Sequence, residues 1–203
     1  MTAPEPNAFA PLACAPLKSG ASFFQPPRQN PTRVSLHDPA VAVMTDLKKV
    51  RAITASPNET MDAAHQRMIH RAVRLLLVID ADETIRGIIT ANDILGEKPL
   101  RYLQQNPGAR REDILVKDIM TPEERLEALN MRDVERATVG DIVATLQHTG
   151  RQHALAVDIL EPAQTQIVRG IFSCTQIARQ VGHDIQTPQV ARSFADIEAQ
   201  IVK

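Results

Sequence analysis

The chain has 203 residues, is 43% hydrophobic and 23% charged, and carries a formal net charge of -1 at pH 7. That is the balance of one medium globular domain or two small ones, and it supplies no field to draw the chain to nucleic acid or an anionic membrane. With no Trp, one Tyr and five Phe, it also lacks the aromatic platforms on which single-strand binders stack bases. The two cysteines, Cys14 and Cys174, form no motif, which fits a reducing cytosol. No apolar run approaches membrane-spanning length. The stretch from Asn7 to Cys14 fails as a secretion signal, because no Lys or Arg precedes it and prolines interrupt it. A cytoplasmic protein is expected, with neither nucleic acid nor membrane as partner.

Residues 1–39 hold eight of the 14 prolines and read as an extended arm with little helix or sheet of its own. Phe9, Phe23 and Phe24 give that arm points at which to pack on the body or on a partner chain. The body contains an internal repeat. In the first copy, a short strand at Val50-Arg51-Ala52-Ile53 leads to the turn Ser56-Pro57-Asn58-Glu59. Thr60 then caps a helix whose apolar stripe is Met61, Ala64, Met68 and Ile69. Strands Leu75 to Ile79 and Ile85 to Ile89 follow, and Thr90 opens a short helix.

The segment from Gly96 to Asp113, with Asn106-Pro107-Gly108 as a turn, is the connector. In the second copy the spacing predicts a strand from Ala128 to Met131 and a helix capped by Thr138. That helix carries Val139, Ile142, Val143 and Leu146 and closes at Gly150. Strands His153 to Ile159 and Ile167 to Phe172 follow, then a helix from Ser173, with five extra residues in the loop Leu160 to Gln166. Each copy is preceded by a Met-Thr pair, Met44-Thr45 and Met120-Thr121. A last amphipathic helix starts at Thr187-Pro188 and bears Val190, Phe194, Ile197 and Ile201. It is expected to pack on its own chain or on a dimer mate.

The fold class is α/β (α+β): two β-α-β-β-α units, each unable to cover its sheet alone, packed as a pseudo-symmetric pair. The divisions are an arm at 1–39, a first unit at 40–97, a connector at 98–113, a second unit at 114–182 and a terminal helix at 183–203.

The most telling element is Gly87-Ile88-Ile89-Thr90-Ala91-Asn92-Asp93, repeated as Gly170-Ile171-Phe172-Ser173-Cys174-Thr175-Gln176. Thr90 and Asp93, three apart at a helix start, fit a capping box; they also fit a nucleoside site, in which a carboxylate accepts both hydroxyls of a ribose cis-diol. Glycine at 87 would let a ligand approach the backbone. Ser173 and Gln176 fit the capping pattern alone, since an amide lacks the charge that makes a diol grip strong. His65 and His70, five apart, do not share a face as a metal pair would, so no metal is expected.

With its Met-Thr lead-ins, Thr54-Ala55-Ser56-Pro57, Ala72-Val73-Arg74 before Leu76-Leu77-Val78-Ile79-Asp80, and Gly150-Arg151-Gln152-His153-Ala154-Leu155-Ala156-Val157-Asp158, the chain resembles a tandem pair of CBS (cystathionine-beta-synthase) domains, a Bateman module. The resemblance covers roughly residues 40–182. It implies a non-catalytic sensor binding AMP, ADP, ATP or S-adenosylmethionine in the cleft between the domains, standing alone, pairing into a disc-like homodimer and read by an effector protein. No cofactor is required for chemistry. Asp93 would grip the ribose, Thr90 would contact ribose or phosphate, and Arg74 would face the phosphates with Gln152 and His153 as partner-domain counterparts. Adenine would sit between aliphatic walls, namely Val50, Ile53 and Ile88. Arg74 as a solvated surface residue and His153 as an ordinary strand residue remain the competing readings. Gln152, where a second Arg could sit, tilts the site away from a triphosphate. The second site, at Ser173, Gln176 and Gln152, is expected to be weak, altered or empty. The alternative is a ligand-free scaffold that uses the fold to dimerise and to present its arm and terminal helix.

Overall fold

Threonine caps and apolar stripes set the two long helices. Thr60 accepts a hydrogen bond from the Ala63 amide at 3.2 Å and starts α1, Met61–Arg71, which buries Met61, Ala64 and Met68. Ile69, placed on the same stripe by the sequence, is 57% exposed, because it lies on the shoulder of that face. In the second half Thr138 makes a complete capping box with Asp141 and starts the helix Val139–Thr149. Gly150 ends it in the left-handed conformation, φ 66°.

The structure, a computed structural model, describes Pro31, residues 33–182 and Ile185. Most of the expected arm, with Cys14, Phe9, Phe23 and Phe24, and the expected terminal helix lie outside the described residues. The strands are β1 Thr45–Asp46, β2 Thr54–Ala55, β3 Leu75–Ile79, β4 Ile85–Thr90, β5 Thr121–Pro122, β6 Ala128–Asn130, β7 His153–Leu160 and β8 Thr165–Ser173. The remaining α-helices are α2 Ala91–Leu95, α3 Lys98–Gln105, α4 Val116–Ile119, α5 Met131–Val134, α6 (the Thr138-capped helix) and α7 Cys174–Val181. Among the described residues, no helix is long and apolar enough to cross a membrane.

Two local expectations are corrected. Residues 50–53 are not a strand; pairing starts at Thr54, and of these residues the Ile53 carbonyl reaches β3, accepting from the Leu77 amide at 3.1 Å. Met131 is helical rather than extended, because the Asn130 side chain accepts the Arg132 amide at 2.9 Å and caps α5 there. The connector contains the helix α3, and its expected turn at Asn106 is present, closed by the Ala109 amide on the Asn106 carbonyl at 3.1 Å.

The protein is a mixed α/β fold with two four-stranded sheets, ordered β2-β3-β4-β5 and β1-β8-β7-β6. The edge strands are exchanged. β1 lies before the first repeat yet completes the second unit's sheet, pairing Thr45 with Ile171 and Asp46 with Gly170. β5 lies before the second repeat and completes the first sheet, pairing Thr121 with Ile88 and Pro122 with Gly87. The preceding segments follow the same rule. Val34, Ala40, Val43 and Met44 are buried in the second unit's core, and Ile114, Val116 and Ile119 in the first unit's. Pro39 forms a β-bridge with Thr138, as Leu115 does with Thr60.

The repeated glycines are what the exchange requires. A Cβ on Gly87 would run into the Thr121 carbonyl oxygen, and one on Gly170 into the Met44 thioether. The space over Gly87 is therefore filled by the exchanged strand, and not held open for a ligand.

β3 is buried on both faces, which explains its unbroken run Leu75-Leu76-Leu77-Val78-Ile79. Leu76 and Val78 face the first unit's helices. Leu75 and Leu77 meet Leu155 of β7 in a third cluster between the sheets, with Ile88, Val168 and Ile171 against it. That junction is where residues of the two units meet.

Candidate functional site

The site is built at the start of α2. The Arg74 carbonyl accepts the Ala91 amide at 3.0 Å, which sets the loop before β3 against the helix start. Thr90, the last residue of β4, is the extended N-cap. Its amide and its hydroxyl both donate to Asp93 Oδ2 at 2.7 Å, while its Oγ1 accepts the Asp93 amide at 3.3 Å. The capping reading of this tetrad is therefore realised. The box fixes the Asp93 rotamer, and the residue as a whole is 9% exposed.

The other oxygen of Asp93 has a partner that the sequence reading missed. Lys98 Nζ sits 2.7 Å from Asp93 Oδ1. The same ammonium donates to the Ile119 carbonyl at 2.8 Å and lies 3.5 Å from Thr121 Oγ1. The sequence signal was Lys98 five residues after Asp93; without the helix α3 and the exchanged strand β5 it had no reason to point inward.

From the second unit comes His153, the first residue of β7. Strand alternation puts it on the face of Leu155, toward the junction of the sheets. It stands where the first unit has Leu75, the first residue of β3. Burial above all, and then the Arg74 cation, push its imidazole down, the Asp93 carboxylate opposes both, and the result is about 4 against the usual 6.5. The charges of two first-unit residues thus act on a second-unit imidazole, which stays neutral near pH 7. Arg74 itself is exposed.

The three residues expected as adenine walls lie in different surroundings. Ile88 packs between the sheets. Ile53 packs against the first unit's core and lines a cleft of about 610 Å³ together with Arg51, Arg67, Arg71 and Asp80. Thr90, Asp93 and Arg74 are not among that cleft's lining. The Val50 amide donates to the Asp46 carbonyl at 3.0 Å.

The equivalent position in the second unit is built differently. Ser173 precedes α7 but its side chain caps nothing, so the capping expected of Ser173 and Gln176 is not realised. Gln176 Oε1 instead accepts a hydrogen bond from Thr45 Oγ1 at 3.4 Å. The Gln152 carbonyl accepts the Cys174 amide at 2.9 Å, as Arg74 does for Ala91. Cys174 is buried, its thiol pushed up by that burial, and Sγ lies 3.4 Å from the Ile185 carbonyl. Among the described residues, no group of three or more His, Cys, Asp and Glu gathers as a metal site.

Fold and site define the class: a pair of repeated units with exchanged edge strands and a Thr-x-x-Asp helix start at their junction. Residues 31–99 match the family model of the CBS domain. That match falls on the first unit, and the second unit repeats its four-stranded arrangement.

Among solved structures, an uncharacterized conserved protein from Pyrococcus horikoshii is similar at 22% identity, over 76% of this chain and 99% of that one, with a TM-score of 0.51. CBSX2, solved in complex with AMP, is similar at 20% identity over 70% of this chain and 94% of that one, TM-score 0.48. The CBS domain pair of protein MJ0100, solved with 5'-methylthioadenosine and S-adenosyl-L-methionine, is similar at 22% identity over 68% and 97%, TM-score 0.47. A curated relative, inosine-5'-monophosphate dehydrogenase of Halobacterium salinarum, is 28% identical over 97 residues, 46% of this chain. The match spans only 19% of that relative's length.

Proposed function

We propose that this protein is a non-catalytic regulatory module that binds an adenosine-type ligand at the junction of its two units. Its state would be read by an effector protein, and the module would work as a homodimer. The observation that carries the reading is the convergence of Asp93 and Arg74 from the first unit on His153 from the second. A nucleotide needs an acceptor for its ribose hydroxyls and a donor for its phosphates, and the junction supplies a carboxylate and a guanidinium whose charges both reach the same imidazole. Because the groups come from both units, a ligand that contacts them changes the free energy of one relative placement of the units over another. Ile88, in the cluster between the sheets, offers an aliphatic surface for adenine, whereas Ile53 lines the separate cleft beside Arg51 and Asp80. With Gln152 in place of a second Arg, a monophosphate, a diphosphate or S-adenosylmethionine suits the site better than a triphosphate.

In the second unit Gln176 is held by Thr45, and Ser173 is free of a cap; that site is proposed to be weak or empty. One observation favours a second reading. Asp93 and Gln176 both already have protein partners, Lys98 and Thr45, as a ligand-free scaffold would have them.

Thermal unfolding with AMP, ADP, ATP and S-adenosylmethionine in turn separates the two. A ligand that binds only the folded state at about 100 times its Kd adds about 2.7 kcal/mol. The sensor requires one of them to raise the wild-type midpoint and to lose that effect in Asp93→Ala and in Arg74→Gln. The Arg74 variant leaves the helix cap intact and so reports on binding rather than on folding. No shift with any of the four leaves the scaffold.

A further inference from the structure

The carboxylate assigned to the ribose is occupied from within. We propose that Lys98 is the resident occupant of the Asp93 subsite: its ammonium competes with ligand hydroxyls for Asp93, and a cis-diol binds only by displacing it. This rests on the ligand-binding reading above.

The argument is one of acceptor capacity. An ionised carboxylate offers about four lone-pair sites. Two on Oδ2 are used by the amide and the hydroxyl of Thr90, both at 2.7 Å. Lys98 takes one on Oδ1, also at 2.7 Å. A cis-diol brings two O–H donors, and one remaining site cannot accept both. The Asp93 side chain is 12% exposed, so its held oxygens cannot turn to water to make room, whereas the Lys98 side chain is 40% exposed and can leave. When it leaves Asp93 it keeps an acceptor in the Ile119 carbonyl, 2.8 Å away.

The second copy of the repeat has no counterpart of this lysine. In the second unit the last motif residue, Gln176, meets the threonine of the exchanged strand, Thr45, directly. In the first unit the matching threonine is Thr121, and Lys98 stands between it and Asp93. The corresponding residue of α7 is Val181, an apolar side chain packed on the second unit's core. Lys98 thus makes the first subsite switchable, and it ties occupancy of Asp93 to residues 119–121, which carry the chain into the first sheet.

The test is calorimetric titration of the full chain with AMP and with 2'-deoxy-AMP, in wild type, Lys98→Met and Lys98→Gln. The deoxy analogue lacks the diol, so the ratio of the two affinities cancels any general loss of positive charge near the phosphate. The preference for AMP over 2'-deoxy-AMP is expected to rise about tenfold in both variants, the scale of one charge-assisted hydrogen bond. Lys98→Gln retains a donor for the Ile119 carbonyl and decides the matter should the Met variant fold poorly. AMP binding with an unchanged or reduced preference in the variants overturns the role of Lys98 and leaves the nucleotide site standing. AMP binding to none of the three proteins overturns the site, and the proposal with it.

Discussion

At the residue scale, Asp93 serves the fold and the proposed site with the same carboxylate. Its bonds to Thr90 cap α2, and its pair with Lys98 holds the segment that leads into β5. Asp93→Ala is therefore expected to lower stability by about 1–2 kcal/mol in urea unfolding without ligand, the usual cost of a lost cap. Thr90→Ala should cost a similar amount, and the double variant less than the sum, because both remove the same box. A fully additive result would mean that the box contributes nothing as a unit. His153 makes a pH prediction. Its folded pKa of about 4 lies below the ordinary 6.5, so below pH 6.5 the unfolded chain binds a proton that the folded one refuses. Stability from this group is fully present above pH 6.5 and is lost as pH falls toward 4, by up to about 3 kcal/mol at 1.36 kcal/mol per unit. His153→Leu, which restores the residue type found at Leu75, should flatten that part of the profile and raise the melting midpoint at pH 5 more than at pH 8. Equal gains at both pH values would place the imidazole in water.

At the element scale, the exchanged strands explain the Met-Thr pairs and the motif glycines together. Met44 is buried against Gly170, and Met120 lies beside Gly87. Gly170→Ala is expected to cost about 1–3 kcal/mol through overpacking. Met44→Ala should absorb part of that cost, so the pair is less destabilised than the sum of the singles. Strict additivity would show that the two do not touch. The helix caps at Thr60 and Thr138, the glycine stop at Gly150 and the run of β3 were legible in the sequence, because each is set by neighbours within a few positions. The exchange was not, since a two-residue strand has no periodicity and pairs equally well with either sheet on paper. The same limit hid Lys98: its direction depends on α3 and on the carbonyl of Ile119, 21 residues away. At the candidate site, the Thr90–Asp93 unit was readable as a local pattern. The approach of His153 to Arg74 and Asp93 needed the resemblance to a CBS pair, because only the packing of one unit on the other brings them together.

At the scale of the whole molecule, the two units share more than a contact face. Each sheet is completed by a strand that leads on in sequence into the other unit, and Leu75, Leu77 and Leu155 close the space between the sheets. Two units built this way should unfold as one body, because melting either one frees the chain that runs on from the other's edge strand and exposes the leucine cluster. Leu155, 4% exposed in that cluster, is the place to test it. Leu155→Ala removes buried methyl groups from a site walled by both sheets and should cost about 2–4 kcal/mol. Urea unfolding, followed by far-ultraviolet circular dichroism and by the amide signals of each sheet, should still give coincident curves, displaced together to lower denaturant. A variant in which β6-β7-β8 lost protection while β2-β3-β4 kept it would show instead that the units are separately stable. Ligand-driven change would then be a movement of one body against another, whereas coincident curves tie any signal raised at Asp93 to the shared sheets themselves.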